Sequence, residues 1–106
     1  MPFYMWHATY QAQGTKGVMQ EGGTKRRTAI REMVEKAGGK LHALYFAFGD
    51  ADVVGITEFP DQTTAMAVSM AVSATGLVNV RTTVLVTPEE VDAAAKKNVG
   101  YRPPGA

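Results

Sequence analysis

The stretch FAFGDADVVGITEFP, residues 46–60, sets two apolar runs on either side of a polar knot, Gly49-Asp50-Ala51-Asp52. Short runs rich in Val, Ile and Phe read as strands, and a brief Gly/Asp link between them reads as the turn of an antiparallel hairpin. The two strands are expected over Lys40–Phe48 and Asp52–Phe59. Gly49 is expected to supply a positive φ in the turn. Asp50 and Asp52 are expected to accept hydrogen bonds from nearby amides, a structural role that needs no chemistry.

Upstream of the hairpin, Ile30, Met33, Val34 and Ala37 recur at helical spacing and predict a helix over Thr24–Ala37. Gly38-Gly39 ends it. The preceding segment, Gln11–Gly23, holds four glycines and predicts a loop with at most one helical turn. Before that, Phe3–Tyr10 is aromatic and short enough for a strand. Phe3, Met5, His7 and Thr9 would share one face, and Tyr4, Trp6, Ala8 and Tyr10 the other.

Downstream, Asp61 is a candidate N-cap for a helix that runs to about Thr75 and stops at Gly76. Val78–Val86 predicts a fourth strand. Thr87-Pro88-Glu89-Glu90 has the form of a capping box with proline at the first helical position. It opens a short terminal helix. The resulting order, β-α-β-β-α-β plus that helix, is the ferredoxin-like split βαβ pattern. It predicts an α+β fold: a four-stranded antiparallel sheet with two helices on one face. One domain over residues 1–98 and a tail over 99–106 are expected.

The strands are apolar on both parities, Leu41, Ala43, Tyr45 and Ala47 on one and Leu44, Phe46 and Phe48 on the other. A half-solvated sheet should alternate, so the second face is expected to be covered. No charged residue occurs from Gln62 to Val80. Both features predict a homo-oligomer, with a dimer joined sheet to sheet as the favoured form.

The formal net charge of +1 lacks the basic excess of a nucleic-acid binder. The absence of cysteine excludes disulfides, thiol nucleophiles and thiolate metal sites. The N-terminus has no signal-peptide pattern and no apolar run is long enough to span a membrane, so a cytoplasmic protein is expected.

Chemistry-bearing residues are few. His7 and His42 are the only histidines. Either would serve as a general base, but no spacing motif ties them to each other or to a metal. Arg81 is a lone cation in a strand. It requires water, an anionic ligand, or an acid such as Glu58 or Asp52. Trp6, Tyr45 and Arg81 are candidate linings for a small apolar or anionic ligand. The basic cluster GGTKRR, residues 22–27, reads as a solvated turn, since it matches no phosphate-loop motif. Ser69 and Ser73 lie in no nucleophile elbow. No motif implies a cofactor or a metal.

The hairpin GDADVVGITEFPD, the preceding EKAGGKL and the later GLVNVRTTVL together resemble the GYD domain family, over most of the chain. Gly49 and Asp52 are similar to the outer residues of that family's Gly-Tyr-Asp signature, with Ala51 where the tyrosine would stand. The resemblance implies a ferredoxin-like, dimeric αβ-barrel type of fold and oligomerisation, and it carries no established activity. Three functional readings follow. The first is a small-molecule-binding or accessory module with its site between sheet faces. The second is a cofactor-independent monooxygenase or isomerase using His7 or His42 with Arg81. The third is a structural subunit that binds other proteins.

Overall fold

The computed structural model describes residues 1–106. The chain forms β1 (Phe3–Tyr10), α1 (Ala12–Glu21), α2 (Gly23–Lys36), β2 (Lys40–Phe46), β3 (Val53–Glu58), α3 (Gln62–Ser73), β4 (Val78–Leu85) and α4 (Pro88–Ala95). The four strands make one sheet in the order β2-β3-β1-β4, with every neighbouring pair antiparallel. This is the ferredoxin-like α+β arrangement, with α4 appended.

The even positions of β1 form the core. Tyr4 packs with Val34, Phe59 and Ala65 in one cluster, and Ala8 with Val53 and Val78 in another. α2 lies chiefly against β2, and α3 against β4. The central strands β1 and β3 therefore run beneath the gap between the two helices.

Segment 12–21 departs from the expected loop, for it is a ten-residue helix. Tertiary contact outweighs its glycine content. Gln11 N–H donates to the Leu77 carbonyl at 2.8 Å, and buried Gly14 sits where an added Cβ would lie 2.3 Å from that same oxygen. The glycine is what lets the first turn of α1 reach the 77 loop.

The other helix ends follow their sequence signals. Gly38, at φ +82°, ends α2 with Gly38 N–H bonded to the Glu35 carbonyl and Gly39 N–H to that of Val34. These are the two bonds of a Schellman motif. Asp61 caps α3 by accepting from Thr64 N–H at 2.8 Å. The capping box at α4 is complete, Glu90 N–H to Thr87 Oγ1 and Thr87 N–H to Glu90 Oε1.

The hairpin knot is a corner of a different kind from the one expected. Gly49 is not among the residues with positive φ, so its conformational freedom is not what the turn uses. Asp52 instead ties the hairpin to β1. Its Oδ2 accepts from Tyr10 N–H at 2.8 Å, and its own N–H donates to the Ala8 carbonyl at 2.9 Å. Asp50 is exposed.

β2 carries a bulge. Leu41 pairs with Thr57 and Ala43 with Ile56, leaving His42 as the extra residue. An extra residue resets which face later side chains take. Leu41 and Leu44 both pack into the helix-side core, while Ala43 and Tyr45 pair with Ile56 and Val54 on the other face. The expected grouping of Leu41 with Ala43 and Tyr45 is thereby corrected.

Candidate functional site

An apolar cleft of about 170 Å³ lies between α2 and α3, floored by β1 and β3. Its existence follows from the layer geometry. The helices stand over the two sheet edges, and the floor residues Ala8 and Gly55 are small. Trp6, Val53 and Phe59 also belong to the floor, with Ile30 and Met33 on the α2 wall and Val68 and Val72 on the α3 wall. The Trp6 indole N–H donates to Thr57 Oγ1 at 2.5 Å, and the ring meets Phe59 edge-on at 6.1 Å. The floor's main polar groups are thus bonded to each other.

Arg26 is the only charged residue lining the cleft. It is half-buried, while its neighbours Lys25 and Arg27 are exposed. The reading of GGTKRR as a wholly solvated turn is corrected here for this one residue. A signal was present: Arg26, Ile30, Met33 and Ala37 continue one stripe at helical spacing, so extending the stripe back by a turn would have found it.

Trp6 is on the helix side of the sheet, whereas Tyr45 and Arg81 occupy the open face. No single face of the sheet brings the three together. The open face also holds both histidines. His7 stands directly opposite Arg81 in the β1–β4 register. His42 stacks on Phe3, ring centroids 4.9 Å apart, and its Nε2 lies 2.8 Å from Glu58 Oε1. No Lys or Arg nitrogen lies within 4.0 Å of a carboxylate, so Arg81 has neither Glu58 nor Asp52 as a partner. Neither histidine lines the cleft. No three His, Asp or Glu side chains gather closely enough to hold a metal ion.

A second hollow, about 240 Å³, lies between α3 and β4 beside Tyr4, Ser69 and Thr82. It opens at the sheet edge past exposed Met66 and Val84. Ser69 Oγ is 3.5 Å from Thr82 Oγ1, and no base stands beside it. The cleft has the more extensive apolar lining of the two.

No helix is long and apolar enough to cross a membrane. The family model described as GYD domain matches residues 4–95. No match was found among curated proteins or among solved structures. The family match takes in all four strands and all four helices except Phe3, the first residue of β1, and the chain belongs to the GYD domain family.

Proposed function

We propose that this GYD-domain protein is a small-molecule-binding module whose ligand lies in the cleft between α2 and α3. One observation carries the reading: about 170 Å³ of unfilled, almost wholly apolar space over the central strands. Protein interiors close-pack and leave few voids larger than a water. An apolar cavity of roughly 150 Å³ stays dry and takes up benzene. In this proposal the ligand lies under the helices rather than between sheet faces, with Trp6 among the lining residues and Tyr45 and Arg81 on the other face.

The open face serves a different purpose in this proposal, as the surface that joins two copies. Phe3, Met5, Val54 and Ile56 lie there beside Tyr45, which is 69% exposed. An apolar surface of that extent favours a partner.

The test of the ligand reading uses the single tryptophan, Trp6, as a reporter inside the cleft. Titration with phenylacetamide is expected to change Trp6 emission saturably and to raise the melting temperature. Emission and melting that stay unchanged up to the probe's solubility would contradict the reading.

A second reading, a cofactor-independent enzyme, is supported by the His7–Arg81 pairing and the His42–Glu58 pair on one face. It requires a second copy to close a chamber over them. A dimer whose open faces pack without a chamber removes it.

A further inference from the structure

We propose that the cleft selects a small organic monoanion: one ring or a short chain, with its carboxylate held by Arg26. This rests on the cleft being the ligand site. The size follows from the volume. About 170 Å³ holds a single ring with a short arm, close to the ~150 Å³ cavity that accommodates benzene. A long acyl chain, a haem or a flavin is too large.

The polarity follows from where hydrogen-bonding capacity remains. At the floor the Trp6 N–H is spent on Thr57 Oγ1. A polar ligand group placed there would lose its water and find little in return. Arg26 offers the opposite. It is half-buried, it lines the cleft, and no carboxylate lies within 4.0 Å of it. The first turn of α2 also contributes no carboxylate.

The guanidinium is always charged and presents a planar fork that matches a carboxylate through two parallel hydrogen bonds. Arg26 lies one turn inside α2, and the first residue of that helix, Gly23, packs against the Phe46 ring. The cation therefore stands at the end of the layer where Phe46 pairs with Val53. A ligand would enter with its apolar part toward Ile30 and Trp6 and leave its charge at that end. A single cation favours a monoanion over a phosphate dianion, because the neighbouring Lys25 and Arg27 are exposed rather than part of the lining.

The experiment compares phenylacetate with its neutral isostere phenylacetamide, on the full chain and on Arg26→Gln, by Trp6 fluorescence. A charge-assisted hydrogen bond predicts that the wild type binds the acid about tenfold more tightly than the amide. Arg26→Gln should lose that preference while its affinity for the amide holds, and added salt should weaken only the acid. Equal binding of acid and amide by the wild type, or a preference that survives Arg26→Gln, overturns the anion inference and leaves the cleft reading intact. Failure of both probes to bind the wild type overturns both. Circular dichroism of the variant, expected to match the wild type, separates lost binding from lost folding.

Discussion

Tyr4 is 2% exposed, and its hydroxyl has no hydrogen-bond partner. A buried, unpaired hydroxyl costs about 1–3 kcal/mol in lost hydration. Tyr4→Phe removes it without removing the ring that packs near Phe59. The variant is expected to equal or exceed the wild type in stability, by up to about 1 kcal/mol, in urea unfolding. A clear loss of stability would mean that the hydroxyl has a partner after all. The residue scale also shows where sequence reading stops. Asp52 was legible as a turn carboxylate, but its bond to the Tyr10 amide joins residues 42 positions apart. Local spacing holds no record of such a pair. Gly49 is a different case: residue type predicts a positive φ there, yet the six residues between β2 and β3 make the corner without one.

Among the elements, α3 depends most visibly on its cap. Hydrogen bonds from Thr64, first the backbone N–H and then the side chain, hold the Asp61 carboxyl below its ordinary value of 3.8. A lowered folded pKa means that ionised Asp61 favours the folded state. Its contribution is complete above the unfolded value and is lost as pH falls through the folded one. Asp61→Asn should keep the cap's hydrogen bond without its charge and melt between the wild type and Asp61→Ala at neutral pH. Asp61→Ala should melt lower at neutral pH, and the gap should narrow as pH falls from about 3.8 through the lower folded value. A gap independent of pH would contradict the charged cap. α2, α3, α4 and all four strands were legible, because period, capping residues and glycines agree in each. α1 was not, since its helix rests on the contact of Gly14 with the 77 loop rather than on propensity. The β2 bulge was equally invisible, and it decides which side of the sheet Ala43 and Tyr45 take.

The whole molecule is less compact than its length requires. Its radius of gyration is 17.0 Å, against about 13 Å for a compact chain of this size. α4 accounts for part of this, for all of its residues are exposed. An isolated helix of eight residues is marginal in water. A projecting arm and an apolar sheet face both fit a chain that works as more than one copy. Light scattering after size exclusion should report a dimer at micromolar concentration. Ile56→Lys, on the open face beside Met5 and Ala43, should shift it to monomer while circular dichroism stays unchanged. A wild-type monomer would remove the open face as the dimer surface. The sequence foresaw the four-stranded sheet and its uncovered face but not the cleft. A cavity depends on how far apart two helices settle, which no pattern of residue types encodes.

The central claim is that the ligand lies on the helix side of the sheet. Its most direct test is nuclear magnetic resonance of methyl groups during titration with phenylacetate. Saturable shifts are expected at Ile30, Val53, Val68 and Val72, with Val54 and Ile56 on the open face unmoved. Shifts confined to Val54 and Ile56, or none at any methyl group, would contradict it.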